Sequence, residues 1–553
     1  MAPQKNPKEN PVNYPPAPER RFHLWLNRRA LWIIAGVLVL PLVAAWVLYL
    51  ASGLPALAAE AAGEPLEFPL WLRIAHYTNF LLLVLLVRSG LSILMDHPRL
   101  YWNDHCTPGT EWIRFTPVEV PKDAVFTAKE DARYISPLFA LPGYKHTIGM
   151  ARHWHFLPAL LWFINGVVFW VLLFATGQFT RLVPDSAAIV ADAWAMFVHY
   201  ATFNIPEKGE TLVHYNALQQ LSYFGVVFIM APLSFLTAMA MSPAIVNRFR
   251  WYPRLFGGRQ AARSIHFLLM VSYVLFLVGH VAMVAVTGLT KNMNHIVVGA
   301  DDGTTRGLLI GLVGIAVVVL ACGGAHWLAW KFPRAVQYLV KRIHGEFMRR
   351  LFFAHIEPRA EYPAAAISPH FWPNGKAPAT DEWKALAADD FKGYKLKVTG
   401  LVENPVELSL EEMRALGMQE QTTMHHCIQG WSGIAKWGGL PMRRLIEVVK
   451  PKPEAKVVVF YSFGEGLYGG DYYDTQHIEN VMREKCILAY EMNGQPLPHV
   501  YGAPLRLRVE NQLGYKMVKW VRAIEFVASE RDVGLGHGGK NEDDEYFDLV
   551  PEI

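Results

Sequence analysis

The chain has 553 residues, of which 52% are hydrophobic and 18% charged, and its formal net charge is +4. This length exceeds what one hydrophobic core usually supports, and the apolar excess is typical of a membrane protein. Nucleic-acid binding is excluded, because Lys and Arg form short clusters beside apolar segments rather than one basic patch. The four cysteines form no Cys-x-x-Cys pair. Their spacing argues against zinc, iron–sulfur and disulfide scaffolds, and unpaired thiols suit a reducing compartment.

Residues 1–30 predict a disordered tail, since the first twenty are rich in Pro, Asn and Lys. Six apolar segments follow within a predicted transmembrane domain, 31–330. Each is close to the length that a helix needs to cross the hydrocarbon core of a bilayer. They cover residues 31–50, 71–95, 156–176, 218–241, 264–288 and 307–330. The first could also be a signal peptide, because arginines precede it and Ala56-Leu57-Ala58 offers a cleavage pattern. Its apolar stretch exceeds a usual signal peptide, so an uncleaved helix is favoured.

The basic residues in the loops predict the orientation. The tail and the segments 96–152, 242–263 and 331–360 hold 25 Lys and Arg, whereas the alternating loops hold 4. Because Lys and Arg accumulate on the cytoplasmic side, we expect both termini in the cytoplasm of a multi-pass bacterial inner-membrane protein.

Histidines inside the apolar segments indicate function, because an imidazole in hydrocarbon is costly without a partner. His266 and His280 lie on one face of the fifth segment, about 21 Å apart at 1.5 Å per residue. The alternating helix directions place His76 level with His280, and His153 and His155 level with His266. Two stacked haems need such a spacing. A structural bundle with polar helix contacts is the simpler alternative.

The region 70–290 resembles the di-haem cytochrome b subunits of formate dehydrogenase and nickel-iron hydrogenase. The matching pieces are RIAHYTN, RHWHF, the run 215–223 and H-x13-H. The resemblance implies a four-helix haem core with two b haems. Their ligands would be His76 and His280 for the outer haem, and His155, or alternatively His153, with His266 for the inner haem. Four further histidines of this half are candidates for the interface or a quinone site: His199, His214, His295 and His326.

After a basic amphipathic linker, 331–367, the pattern changes to short β-like runs separated by helical patches. The predicted strands are 395–402, 456–460, 505–509 and 521–527, and the predicted helices are 410–416 and 442–449. We therefore expect an all-α transmembrane bundle of six helices followed by an α+β domain, 368–553.

The run HHCIQGWSGIAKWGGLP, 425–441, places Cys427 after two histidines and before two tryptophans. A lone cysteine is usually a small buried hydrophobe. A thiolate also suits a thiophilic metal, but one cysteine needs other ligands to complete the site.

The pattern Cys-x-x-Gly-Trp-Ser, followed by Trp-Gly-Gly-x-Pro, resembles the sulfite oxidase family of molybdopterin enzymes. Its bacterial branch includes the methionine sulfoxide reductase catalytic subunit. A second block, LAYEMNGQPLPHVYGAPLRLRVENQLGYKMVKW at 488–520, also resembles this family, and the resemblance covers about 368–530. It implies that Cys427 is the catalytic residue that binds molybdenum, together with the sulfurs of one molybdopterin.

The same resemblance implies further cofactor contacts. Arg506 would bind the pterin phosphate, for which a guanidinium is suited by its bidentate geometry. The other implied contacts are Asn374, Ser462, Tyr501, Met517, Val518 and Lys519, where Tyr501 replaces the Asn or His that the family often has. Five residues are candidates for the substrate pocket, although aromatic residues at such positions belong to the core equally often: His425, His426, Tyr468, Tyr472 and Tyr473. Ile428-Gln429 replace the arginines that follow the cysteine in sulfite oxidases, so sulfite is disfavoured.

Together these patterns predict a membrane-bound molybdenum oxidoreductase that exchanges electrons with the quinone pool through two b haems. We expect quinol as the electron donor and a small S-oxide or N-oxide as the acceptor. Two alternatives stay open: a dehydrogenase that reduces quinone, and a non-enzymatic electron relay. The expected partners are membrane lipid, quinone and a small-molecule substrate, without nucleic acid, and self-association into a homo-oligomer stays open.

Overall fold

Six long apolar helices dominate the first half of the computed structural model, which describes residues 24–57, 67–121, 125–142, 148–205, 215–353 and 361–553. The helices of this half are α1 (Arg28–Ser52), α2 (Leu70–Asp96), α3 (Ala128–Asp131), α4 (Ile148–Ala175), α5 (Ile189–Ala201), α6 (Ala217–Phe224), α7 (Ala231–Met241), α8 (Pro243–Arg248), α9 (Trp251–Arg254), α10 (Arg259–Val286), α11 (Leu289–Val298) and α12 (Arg306–Lys331). The π-helical turn Gly225–Met230 joins α6 and α7 into one span. The six predicted spans are confirmed as α1, α2, α4, α6–α7, α10 and α12.

The described residues between α2 and α4, 97–121 and 125–142, form a cap that the sequence did not predict. Its strands β2 (Arg99–Leu100) and β3 (Ile113–Arg114) form a three-stranded sheet with β1 (Trp25–Leu26), in the order β1-β3-β2. Arg99 is buried in this cap and pairs with Glu111 and Asp131, each at 2.8 Å. The buried ion pairs lie beside a small hydrophobic cluster in which Leu100, Trp112 and Ile113 of the cap pack against Leu94 and Met95 of α2.

The C-terminal half is the predicted α+β domain. Its strands are β4 (Lys395–Gly400), β5 (Val406–Ser409), β6 (Gln419–His426), β7 (Ser432–Pro441), β8 (Val457–Glu465), β9 (Asp471–His477), β10 (Cys486–Met492), β11 (Gln495–Pro496), β12 (Arg506–Val509) and β13 (Val521–Val527). One sheet has the order β11-β10-β7-β6 with β12 paired to β10, and the other has the order β5-β4-β13-β8-β9. Trp372, Trp431 and Trp437 are fully buried in the core of this half. The mixed fold class is confirmed.

The remaining helices are α13 (Pro333–Val340), α14 (Glu346–Met348), α15 (Asp381–Ala388), α16 (Leu410–Ala415), α17 (Met442–Val449), α18 (Ile478–Val481) and α19 (Lys540–Asp544). In the predicted linker, α13 buries Val336 and Val340 and also packs against the end of the chain. Gln337 donates a hydrogen bond to the carbonyl oxygen of Phe547 at 2.7 Å, and Arg334 donates one to that of Glu542 at 2.6 Å. The domain boundaries at 30, 330 and 367 stay predictions. The predicted disorder of residues 1–23 lies outside the described residues.

Candidate functional site

Two pairs of histidines face each other inside the helical bundle. The ring centroids of His76 on α2 and His280 on α10 lie 6.2 Å apart, and those of His155 on α4 and His266 on α10 lie 6.4 Å apart. A metal–imidazole bond is about 2 Å long, so one metal ion between two rings separates their ligand nitrogens by about 4 Å. The centroids lie beyond those nitrogens. Both separations therefore leave room for one metal ion between the two rings of each pair, so each pair could hold one haem iron.

The second nitrogen of three of these rings is already engaged. The Nδ1 atom of His155 lies 3.1 Å from the Ser89 hydroxyl, and that of His266 lies 3.0 Å from the Thr237 hydroxyl. In the outer pair, the Nδ1 atom of His280 lies 3.3 Å from the hydroxyl of Tyr223. Such contacts orient a ring and leave its Nε2 atom for the metal.

His153, the alternative inner ligand, is placed differently. Its Nε2 atom lies 3.1 Å from the carbonyl oxygen of Tyr546, and its Nδ1 atom lies 3.7 Å from a carboxylate oxygen of Asp548. The ring is buried against the end of the chain. The structure thus brings His155, rather than His153, next to His266.

Cys427 begins the tight loop between the antiparallel strands β6 and β7. Its backbone N–H donates to the carbonyl oxygen of Trp431 at 3.2 Å, and its own carbonyl accepts from Gly430 at 3.0 Å. Gly430 has a φ of 103°, a conformation that suits a residue without a Cβ atom. The sequence Cys-x-x-Gly therefore sets the direction of the thiol, and only 4% of Cys427 is exposed.

The surroundings of the Cys427 thiol disfavour a free thiolate. Burial raises the pKa of Cys427 to about 12, and the charge of Arg259 offsets only part of this shift. The sulfur lies 3.7 Å from Gln429 Oε1 and 3.9 Å from Asn374 Nδ2. A free thiol here would stay protonated at neutral pH, whereas coordination to a metal ion removes the proton.

Two basic side chains in the same cavity, Arg506 and Lys519, form no ion pair with a carboxylate in the part of the chain that the structure describes. Arg506 is 4% exposed and donates from Nη1 to the carbonyl of Tyr501 at 3.0 Å. Lys519 donates to the carbonyls of Asn374 and Val500 at 2.6 Å and 3.0 Å. Burial and the neighbouring Arg508 lower the pKa of Arg506 to about 9, and burial and Arg506 lower the pKa of Lys519 well below its usual value.

Among the described residues, no carboxylate forms an ion pair with either cation, and Arg506 Nε has no hydrogen-bond partner. Arg508, by contrast, pairs with Glu510 at 2.8 Å. Buried charges normally have a counter-charge, so Arg506 and Lys519 fit an anionic ligand such as a phosphate. The donor set is therefore suited to a pterin phosphate beside a thiolate-bound metal.

All the residues that the motifs imply for the cofactor line one cavity: Asn374, Cys427, Ser462, Tyr501, Arg506, Met517, Val518 and Lys519. Ser462 shapes this wall, since its hydroxyl donates to the carbonyl of Lys519 at 2.7 Å and accepts from the Gly464 N–H at 2.9 Å. The hydroxyl of Tyr501 donates a hydrogen bond to the carbonyl oxygen of Phe371 at 2.6 Å.

The five substrate-pocket candidates divide into two groups. His425 and Tyr472 line the cavity, whereas His426, Tyr468 and Tyr473 are not among its lining residues. The Nδ1 atom of His425 accepts from Arg508 at 3.0 Å, and burial and this cation hold its pKa well below the usual value, so the ring is neutral. His426 donates to the side chain of Asn247 on α8 at 3.0 Å, and Tyr473 donates to Asp543.

Sequence reasoning missed cavity residues that come from outside the motifs. Asp96 ends α2, Lys129 lies on α3, and Asn541, Glu545 and Phe547 belong to the end of the chain. None lies near Cys427 in sequence, so no spacing indicated them.

The loop that holds Cys427 also contacts α10, the helix of His266 and His280, which the sequence did not indicate either. Arg259 and Gln260 at the start of α10 donate to the carbonyl of Gly430 at 2.9 Å and 3.0 Å. His266 follows on the same helix within about two turns. The molybdopterin-type site and the inner histidine pair are therefore joined by one helix.

Two parts of the chain match known families. Residues 384–533 match the oxidoreductase molybdopterin binding domain, and residues 67–297 match prokaryotic cytochrome b561. The chain therefore combines a region that matches a molybdopterin-binding oxidoreductase domain with a membrane region that matches a cytochrome b561 domain, in agreement with the motifs.

Among named proteins, the chain is similar to components of methionine sulfoxide reductases. It is 34% identical over 135 residues to the provisionally named protein-methionine-sulfoxide reductase subunit YedZ1 of Azospira oryzae, covering 24% of this chain and 49% of that protein. It is 30% identical over 166 residues to the protein-methionine-sulfoxide reductase catalytic subunit MsrP of Campylobacter jejuni, covering 28% and 56%. MsrP of Xanthomonas campestris pv. campestris is 30% identical over 158 residues, covering 27% and 49%. The chain spans about half the length of these curated relatives.

Proposed function

We propose that this protein oxidises quinol and passes the electrons through two b haems to a cytoplasmic molybdenum centre that reduces a small S-oxide or N-oxide. For an S-oxide the overall reaction is R₂SO + QH₂ → R₂S + H₂O + Q. Quinol supplies both electrons, and the two protons released at the quinol site balance the two taken up to form water at the oxide. The observation that carries the proposal is the contact of the Cys427 loop with α10, the helix of His266 and His280.

The two histidine pairs support a two-step electron path. They lie on α10 at positions 266 and 280, about 21 Å apart along the axis. The pair His155–His266 lies at the end of α10 that contacts the molybdopterin domain, and the pair His76–His280 lies towards the other end. Electrons entering near His280 would therefore reach the Cys427 loop through two haems.

In the proposed site, molybdenum on its pterin supplies the two-electron oxygen-atom transfer when the cofactor is bound. The protein residues bind and orient. Cys427 provides the thiolate, Arg506 and Lys519 neutralise the anionic cofactor, and neutral His425 forms part of the wall. Trp372 and Phe371 exclude water from this part of the cavity, since both are buried.

The cytoplasmic location is supported by the side on which the domain docks. His426 contacts Asn247 in the segment after α7, and the indole N–H of Trp372 donates to the carbonyl of Cys106 in the cap after α2 at 2.7 Å. Both segments belong to the loops rich in Lys and Arg, which favour the cytoplasm. A reporter fused after Ile553 should behave as cytoplasmic, and periplasmic activity of that reporter would contradict this orientation.

A dehydrogenase working in the opposite direction is the second candidate. The names of the similar proteins favour the reductase, because those proteins are sulfoxide reductase components.

The non-enzymatic electron relay would have a molybdopterin domain that has lost its cofactor. Arg506 and Lys519, which form no ion pair within the described residues, argue against this alternative.

A quinol-driven assay of the purified protein in lipid vesicles tests the proposal. We expect one sulfide or amine to form for each quinol oxidised, with molybdenum and two haems per chain. Oxidation of the sulfide with quinone as acceptor, without reduction of any oxide, would instead establish the dehydrogenase.

A further inference from the structure

The cavity around Cys427 carries a pair of opposite charges that does not come from the molybdopterin domain. Asp96, the last residue of α2, and Lys129, on α3, both line this cavity. Both lie outside residues 384–533, the part that matches the molybdopterin binding domain. The membrane half of the chain thus supplies part of the wall where a substrate would approach the metal.

Lys129 is fixed in position without being neutralised. Its helix begins with a capping box between Thr127 and Glu130, and the N–H of Ala128 donates to the carbonyl of Pro373 at 2.9 Å. Its neighbour Glu130 also pairs with Lys376 at 2.8 Å. Within the described part of the chain, the ammonium group of Lys129 has neither an ion pair nor a hydrogen bond. A cation facing a partly closed cavity without a counter-charge fits an anionic ligand group.

Asp96 is placed where its charge is disfavoured by the fold. It is only 9% exposed and stands at the C-terminus of α2, where the negative end of the helix dipole repels a carboxylate. No cation among the described residues forms an ion pair with it. Gln429, two residues after Cys427, donates to its backbone carbonyl at 3.2 Å, so Asp96 adjoins the metal-binding loop. A carboxylate in such a position fits a cationic ligand group.

No ion pair within 4 Å joins Asp96 and Lys129 in the described structure. Burial raises the pKa of Asp96 to about 6, and the Gln429 side chain and the charge of Lys129 at longer range offset only part of this shift. Of the other carboxylates that line the cavity, Glu465 is exposed and Glu545 has a partner of its own. Arg506 and Lys519, within the molybdopterin domain, already provide the cations for the cofactor. Lys129 and Asp96 therefore remain for the substrate.

We propose that Lys129 and Asp96 recognise the carboxylate and the ammonium of a zwitterion, so that the substrate is a free amino-acid S-oxide. This inference rests on the proposed reductase activity and names its substrate class. A sulfoxide within a polypeptide lacks both charges and would gain nothing from this pair.

Four compounds separate the contributions of the two charges. They are methionine sulfoxide, its N-acetyl derivative without the cation, its amide without the anion, and its N-acetyl amide without either charge. The measurement is kcat/KM for haem reoxidation in the quinol-reduced holoenzyme. We expect kcat/KM for methionine sulfoxide to exceed that for the N-acetyl amide by about ten-fold or more, because a hydrogen bond to a charged group contributes roughly a factor of 10 to 100.

Substitutions of Lys129 and Asp96 test which charge of the substrate each residue recognises. In Lys129→Gln, the ratio of methionine sulfoxide to its amide should fall about ten-fold, and Lys129→Arg should restore part of it. In Asp96→Asn, the ratio of methionine sulfoxide to its N-acetyl derivative should fall similarly. Lys376→Gln is the control, because Lys376 is exposed outside the cavity and its loss should leave both ratios unchanged.

Equal kcat/KM values for all four compounds in the wild type would overturn this inference and leave the reductase standing. Failure of all four compounds, while another S-oxide or N-oxide reoxidises the haems, would also overturn this inference alone. Failure of every S-oxide and N-oxide would contradict the proposed function itself. Loss of molybdenum from Lys129→Gln, with the ratios unchanged, would assign Lys129 to the cofactor and overturn the inference as well. If Asp96→Asn does not fold, the Lys129 ratios decide alone.

Discussion

The membrane half and the molybdopterin domain build their sites in different ways. In the membrane half, the ligand pairs come from helices whose spacing and direction are regular, so that histidines far apart in sequence lie level with each other. In the molybdopterin domain, the cavity is assembled from loops, and part of its wall comes from the other half of the chain. A helical site can thus be located from periodicity, whereas a loop-built site needs a family motif or a structure.

Replacing Cys427 should abolish the activity of the molybdopterin domain while leaving the haems of the membrane half unchanged. In Cys427→Ser we expect oxide reduction to fall by more than about 1,000-fold, because the thiolate ligand is lost from a site whose parts act together. The haem spectrum should stay that of the wild type. Activity with a panel of oxides and molybdenum content per haem are the measurements.

Cys322→Ala is the matched control, since Cys322 is buried in α12 and does not line the cavity. Retained turnover in Cys427→Ser would show that the thiol is only part of the core.

The histidine pairs sharpen the comparison from the membrane side. His155→Ala should lose the inner haem and leave one haem per chain, since His266 would have no facing ligand. His153→Ala should keep both haems, because its ring contacts Tyr546 rather than His266. Pyridine haemochrome quantification measures the haem content. Loss of haem from His153→Ala with full haem in His155→Ala would reverse the assignment.

The contact between the two regions can be weakened at one glycine. A Cβ atom at Gly149 would lie 2.4 Å from the carbonyl oxygen of Tyr546. Gly149→Ala should therefore displace the end of the chain from α4, lower the free energy of unfolding by about 1–3 kcal/mol and slow electron transfer between haem and molybdenum.

Thermal unfolding and single-turnover kinetics measure these two effects. Gly323→Ala on α12 is the control, because a Cβ atom there meets no atom within 4 Å. Equal effects of both substitutions would contradict a close contact at Gly149.

A smaller effect, on the free energy of unfolding, is expected when the pH changes the protonation of His97 in the cap between the two regions. Burial and the charges of Arg263, Arg99 and His370 hold the pKa of His97 well below its usual value of 6.5. The folded state therefore binds fewer protons than the unfolded state below about pH 6.5, and stability should fall as the pH falls, by up to about 1.4 kcal/mol per pH unit. Asp131, 3.9 Å from the ring, does not reverse the shift.

His97→Phe should remove this part of the acid sensitivity while keeping the contacts with Tyr101 and Trp372. Unfolding midpoints measured from pH 7.5 to 5.5 test it. The same pH dependence in wild type and variant would contradict the assignment to His97.

The sequence predicted the parts that depend on local pattern. Six spans, the strand β13 and the helix α17 lie where hydrophobic periodicity indicated them. The cap between α2 and α4 was missed because its strands have only two residues each, and its hydrophobic cluster and the Arg99 ion pairs join positions that are far apart in sequence. Nothing in a sequence reports such pairing between distant positions.

The candidate site was predictable to the extent that motifs cover it. The motif block containing Arg506 and Lys519 indicated the cofactor wall, and the helix directions left His153 and His155 equally placed. Only side-chain geometry distinguishes the two, since they lie two residues apart on α4 and point to different neighbours. Lys129 could not be associated with Cys427, because the tertiary fold alone brings them to one cavity.

Anaerobic stopped-flow mixing of the reduced protein with methionine sulfoxide tests the central claim most directly. The haem α-band is followed in the wild type and in Cys427→Ser. We expect both haems of the wild type to reoxidise with formation of one sulfide per two electrons, and those of Cys427→Ser to stay reduced. Haems that stay reduced in the wild type with every S-oxide and N-oxide, or that reoxidise equally fast in both proteins, would contradict electron transfer from the membrane haems to a molybdenum site at Cys427.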